Sequence, residues 1–332
     1  MSTIFRVVTN YQPPFAAINT NGEAPLRCRK LDLYRSIITV GNPSFLSIQN
    51  IRDYGFARAL YDSILKKVAI VSSNIQSDRA GIRRHPIFDS YVSDEKRIVS
   101  YNLGMAFAKL YSERLLDIPN LVHIEFLKKK NAVKFVQQAG TQRSKEPDLV
   151  GQTADGNWHL FEAKGVSSSA SQLNVKISEA KHQVQQVATI HGVAPSTGSA
   201  CATYIGPDRI LTYLEDPPSD DGKRVEINRE KFIESYYAPF LVTEKLLDRP
   251  LRKERIDGLD IDFYDIPHAN IKLRIGLDRE IAELIRSKHY DLPNSITMRL
   301  KGYSSTDRRG NNYSIGLDGF VVGYAEHTSH RW

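Results

Sequence analysis

Three charged residues stand out by where they fall in "PDLVG" (147–151) and "WHLFEAKG" (158–165): Asp148, Glu162 and Lys164. Each borders or ends a short apolar run of strand type, and a polar turn, "QTADGN", separates the two runs. Alternate residues of a strand share a face, so Leu160, Glu162 and Lys164 point one way and His159, Phe161 and Ala163 the other. A carboxylate and an ammonium then stand ~7 Å apart on a face that should be buried. If the two runs pair as a hairpin, Asp148 arrives at the same end of the sheet as Glu162. Two carboxylates that close repel unless a positive charge sits between them. A hard divalent cation meets that need. Mg²⁺ is typically held by one or two carboxylates with water and substrate phosphate completing its shell, and Mn²⁺ can stand in for it. Lys164 is placed to orient or activate an attacking water, since a lysine pKa is readily tuned by its surroundings. Such a set suits hydrolysis of a phosphodiester. The competing reading is a plain ion pair at a solvated strand end.

The flanking sequence supplies the elements that must hold these residues. "KRIVSYNLGMAFAKLYSERLLDIP" (96–119) has helical spacing through Val99, Leu103, Ala106 and Leu110, and Pro119 limits it. Glu113 continues that stripe, and a carboxylate on an apolar face needs a partner or a metal. "NLVHIEFLKK" (120–129) predicts a strand with Leu121, His123, Glu125 and Leu127 on one face, and "AVKFVQQ" (132–138) a second. After Gly165 and the serine-rich link "VSSSASQ" (166–172), a helix is expected over roughly 173–190, with Ile177, Ala180, Val184 and Val187 on one side and Gly192 as its stop. "SACATYIG" (199–206) predicts a further strand. Strands mixed with helices imply an α/β layered sheet.

The step from "PDLVG" to "FEAKG" resembles the signature of the PD-(D/E)xK nuclease superfamily: a proline-aspartate, a variable gap, then an acid, any residue and a lysine at a strand end. The resemblance covers the middle third of the chain. It implies a restriction-endonuclease-like core of helix, three strands, helix, strand, with a mixed sheet flanked by helices and with elaborations at both ends. It implies Asp148 and Glu162 as metal ligands, the Ala163 carbonyl as a third, Lys164 as the catalytic lysine and Glu113 as an acid contributed by the first helix. Gln183, nineteen residues after Lys164, falls near a glutamine found in RecB-like branches. Their tyrosine four residues later is Val187 here. Implied with these are a Mg²⁺ cofactor, DNA as substrate, a setting of restriction, phage defence or DNA repair, and a helicase, ATPase or methyltransferase partner or a homodimer. The alternatives are a catalytically silent nucleic-acid-binding module and a nuclease acting on RNA.

Composition is consistent with this reading. The 332 residues are 41% hydrophobic and 25% charged with a net charge of +7, a modest basic excess compatible with a polyanionic partner. No apolar run approaches the ~20 residues needed to cross a bilayer. The two cysteines, Cys28 and Cys201, form no metal spacing, which points to a reducing cytoplasm. There is no P-loop pattern for driving translocation on ATP. Candidate phosphate contacts are Lys128, Lys129 and Lys130, the hydroxyls of Ser167 and Ser168, and more weakly "RKER" (252–255) and "DRRGNN" (307–312), while "DRAGIRRHPIFDSYVSDEK" (78–96) reads as a loop with Arg83, Arg84 and His85 as exposed basic candidates. The pair His327 and His330 reads as part of a tail. The expected organisation is an N-terminal α+β region (1–95), the nuclease-like core (96–210) and a C-terminal α+β region (211–332).

Overall fold

The hairpin expected around Asp148 and Glu162 lies within a large mixed sheet. The structure, a computed structural model, describes residues 3–11, 21–41, 52–55, 58–59, 64–78, 81–136, 145–218, 222–246, 251–265, 273–304 and 312–324. The seven strands of the sheet, in chain order, are β1 (Thr3–Asn10), β2 (Gly22–Cys28), β3 (Asn120–His123), β4 (Leu149–Gln152), β5 (Trp158–Val166), β6 (Thr197–Ile205) and β7 (Ile210–Glu215). Across the sheet they run β2-β1-β7-β6-β5-β4-β3. Strands β3, β4 and β5 form an antiparallel meander, β6 lies parallel to β5, β7 returns antiparallel to β6, and β1 joins β7 in parallel. The turn from β4 to β5 uses Gly156 at φ +89°, a backbone that favours glycine.

Three helices are used below: α1 (Lys30–Thr39), α2 (Ser93–Leu116) and α3 (Leu173–Val184). Along the chain the order is thus α2, β3, β4, β5, α3, β6: a helix, three antiparallel strands, a helix and a parallel strand. Helix α3 buries Leu173, Ile177, Ala180 and Val184 against Ala200, Ala202 and Tyr204 of β6. The alternating residue Cys201 faces the main core, which includes Leu103, Ala106, Phe107 and Leu110 of α2. Helices therefore flank both faces of the sheet. Among the described residues no helix is long and apolar enough to cross a membrane.

Helix α2 starts where the Val92 N–H donates to the Glu95 carboxylate at 3.3 Å and stops at Asp117, which takes a left-handed φ of 55° just before Pro119. It packs so closely on β5 that a Cβ on Gly104 would lie 2.7 Å from the Gly165 nitrogen, and one on Gly165 would run into the Ser100 carbonyl. Overpacking typically costs 1–3 kcal/mol, occasionally more. Gly165→Ala, which strikes backbone with no flexible neighbour to yield, is expected to lose at least about 3 kcal/mol in urea unfolding. A variant within about 0.5 kcal/mol of wild type would show that the helix stands off the strand.

Several expectations are corrected. The strand at 120–129 ends at His123, whose Nδ1 accepts the Glu125 N–H at 3.2 Å and caps a helix over Ile124–Lys129, so Glu125 and Leu127 are helical. "AVKFVQQ" does form a strand, Val133–Val136, but in a separate sheet with Val187–Ile190 and Lys223–Ile227. The second helix ends at Val184; Val187 belongs to that small sheet, and Gly192 (φ +78°) serves a turn after a strand. Residues 81–85 are not an open basic loop. Gly81–Arg84 pairs with Ile75–Asp78, and Arg84 is buried. The boundaries at 95 and 210 do not separate sheets, since β1, β2 and β7 complete the sheet that holds β3–β6. Arg252–Ile256, Leu259–Asp265, Leu273–Asp278, Tyr313–Ile315 and Phe320–Tyr324 form a five-stranded antiparallel sheet, its last hairpin turning at Asp318–Gly319. Thus "RKER" is a strand, while His327, His330 and most of "DRRGNN" lie outside the described residues.

Candidate active site

The register of β4 on β5 pairs Leu149 with Phe161, which sets Asp148 beside Glu162 at the strand ends. The Asp148 N–H donates to Glu162 Oε2 at 2.8 Å, and the Ala163 N–H donates to Asp148 Oδ2 at 3.4 Å. Lys164 Nζ donates to Glu162 Oε1 and, at 3.0 Å, to Gln183 Oε1 of α3. Four of the residues picked from sequence, Asp148, Glu162, Lys164 and Gln183, are therefore brought together. Glu162 is fully buried, whereas Lys164 keeps 16% of its side-chain surface exposed.

Of these, Asp148 and Lys164 open onto a cleft of about 670 Å³ between the first half of α2 and the start of α3, with Glu162 and Gln183 behind them. Asp148, Ala163, Lys164, Ser167 and Ser168 line it, together with Tyr101 and Lys145. Ser167 is held from two sides: Ser100 Oγ donates to its hydroxyl at 2.9 Å, and Arg84 Nη1 donates to its carbonyl at 2.6 Å. The buried Arg84 thus fixes the serine link at the cleft mouth.

Sequence reading missed Tyr101 and His123. The Tyr101 hydroxyl bonds His123 Nε2 at 3.2 Å, and Tyr101 sits one turn before Gly104, where α2 touches β5. Burial, with the Asp148 and Glu162 carboxylates, pushes the tyrosine hydroxyl pKa up. Burial lowers that of His123 against the pull of Asp148. The helical spacing of Tyr101 from Gly104 was visible in the sequence, but nothing in it tied either residue to Asp148.

Glu113 is not brought to this site. It lies nine residues beyond Gly104, roughly 13 Å along the helix axis. Its carboxylate meets Arg35 of α1 at 2.6 Å and Lys109, and Asp318 of the C-terminal hairpin joins them, 3.2 Å from Lys109. The second half of α2 is buried on every side, so its stripe does not lead to β5. The lysine run is also elsewhere, and none of the three lines the cleft. Lys128 is paired with Glu125 and Glu146, while Lys129 and Lys130 are exposed at the end of a short helix.

The donor set fits a hard cation. Burial first, then the neighbouring Asp148 charge, pushes the Glu162 carboxyl up to about 7, with Lys164 only partly offsetting them. That is an acidic pair short of positive charge. Among the described residues no three His, Cys, Asp or Glu side chains converge on a closed cage. Two carboxylates beside the Ala163 backbone suit Mg²⁺, which keeps several waters and binds phosphate.

The same carboxyl sets a pH dependence in EDTA. Its folded pKa lies above the ordinary 4.5, so the contribution is full below 4.5 and is lost as pH rises through about 7. Wild type should lose on the order of 3 kcal/mol across that window relative to Glu162→Gln. Parallel stability–pH curves for the two proteins would contradict this environment for Glu162.

Comparison with protein-family models, with curated proteins and with solved structures finds no match to this chain.

Proposed function

We propose that the chain is a metal-dependent nuclease that hydrolyses phosphodiester bonds of DNA on a restriction-endonuclease-like core. The observation that carries this reading is the meeting of Asp148, Glu162 and Lys164 at one end of an antiparallel pair, with Gln183 on Lys164. The order α2, β3, β4, β5, α3, β6 supports it, being the order the resemblance implies.

Asp148, Glu162 and the Ala163 carbonyl would hold the cation. Bound there, Mg²⁺ would supply charge stabilisation for the phosphoryl oxygens and lower the pKa of water. Lys164 faces the cleft with Gln183 fixing its ammonium, so it can hold a water by hydrogen bond against the phosphorus. Ser167 and Ser168 offer hydroxyls to neighbouring phosphates at the mouth. Arg84, by clamping Ser167, keeps that lip in place. A setting in restriction, defence or repair, with a helicase, ATPase or methyltransferase partner or a second copy, belongs to the same proposal.

The test is incubation of purified protein with plasmid, single-stranded DNA and RNA in Mg²⁺, Mn²⁺ or EDTA. Cutting of DNA that EDTA abolishes is the expected result. Binding without cutting in either metal would instead favour a silent nucleic-acid-binding module, and cutting of RNA alone would reassign the substrate.

A further inference from the structure

Resting on that reading, the cleft walls say which form of DNA enters. Ile98 and Tyr101 stand one turn apart on α2 and are 48% and 41% exposed, although both are large and apolar. Both line the cleft that holds Asp148 and Lys164. Tyr101 is not a loose surface ring. Its hydroxyl is tethered to His123, itself buried and fixed by the Glu125 N–H, so the ring is oriented before any ligand arrives. The cations Arg97, Lys145 and Lys176 also line this cleft, beside the apolar wall.

A duplex presents sugars and phosphates outward and keeps its bases stacked inside. An aromatic side chain beside the reacting phosphate finds no base to stack on unless the strand is unpaired. Single-strand grooves combine cations that track the backbone with aromatic faces on which bases stack. We infer that the site accepts unpaired DNA, with Tyr101 stacking on a base next to the phosphate that faces Lys164 and Ile98 extending that platform. Duplex regions of a substrate would then lie outside the cleft.

The measurement is fluorescence anisotropy with one labelled 20-nucleotide strand, alone and as a blunt duplex, at fixed salt in EDTA. The proteins are wild type, Tyr101→Phe and Tyr101→Ala, with circular dichroism to confirm folding. Wild type should bind the single strand at least 10-fold more tightly than the duplex. Tyr101→Phe keeps the ring but gives up its tether to His123, so it should fall about 2–3-fold short of wild type on the single strand, whereas Tyr101→Ala should lose about 10-fold there and little on the duplex. Equal or tighter duplex binding, or a Tyr101→Ala protein that binds the single strand like wild type, overturns the inference. Binding is read without metal, so an absence of cutting in Mg²⁺ would sink the nuclease reading while leaving this result to stand or fall on its own.

Discussion

Lys164→Ala is expected to cut DNA hydrolysis by about 10²–10⁴-fold, the usual worth of a positioned proton-handling side chain, while barely changing stability. The two effects separate because of where the ammonium sits. Lys164 leans on Glu162 and Gln183 but faces the cleft. Without it Glu162 is not stranded as a bare buried anion, since a carboxyl already pushed to about 7 simply keeps a proton. Asp148→Asn sharpens the contrast. It removes the like charge that disfavours an ionised Glu162, so the metal-free protein should gain on the order of 1 kcal/mol above pH 7 while losing hydrolysis altogether. A structural ion pair would behave in the opposite way, with stability falling and activity following it. Rates per folded molecule, taken beside urea titrations, decide between them. A Lys164→Ala protein that cuts like wild type would remove Lys164 from the chemistry.

Glu113→Ala should do the reverse. Arg35, Lys109, Glu113 and Asp318 are all fully buried, two cations against two anions. Burial works against ionisation of Glu113, but Arg35 and Lys109 outweigh it and hold its carboxyl below the ordinary range. Tyr236 donates to Asp318 at 2.5 Å and completes the set. Deleting Glu113 leaves two buried cations facing one carboxylate, a loss expected at about 3–5 kcal/mol. The expected outcome is a sharply lower urea midpoint with the hydrolytic rate retained in the fraction that stays folded. Loss of cutting with an unchanged midpoint would return Glu113 to the metal site.

These two variants also show what the sequence could and could not disclose. The hairpin was legible because β-structure has a period of two: "WHLFEAKG" broke its pattern on one face only, and its partner strand lay across a short turn. The role of Glu113 was not legible, because beside Lys109 of its own helix it needs Arg35, and Asp318 joins the cluster from the far end of the chain, and no periodicity in α2 announces either. The stripe Val99, Leu103, Ala106, Leu110 is real, but the second half of the helix, buried on all sides, has no single core face to follow. Likewise "LVHIEFL" alternates well enough for a strand. What stops it is the His123 ring, which accepts from the backbone two residues on and commits the next turn to helix. Tyr101 drew no notice because exposure is a property of the folded cleft.

The parallel pairing of β1 with β7 bears on how the molecule is made. Arg6 lies opposite Leu211 and Asn10 opposite Glu215, a separation of about two hundred residues. During synthesis every element of the candidate site is complete by residue 205, yet β6 then ends the sheet as an open edge. Such an edge is a template for foreign strands. Its protection is vectorial: β7 follows after four residues, and β1 and β2, made long before, dock on β7 as a waiting cover. The earliest strands thus serve the sheet last, and a chain shortened at that end would carry its candidate site intact on a sheet left unsealed.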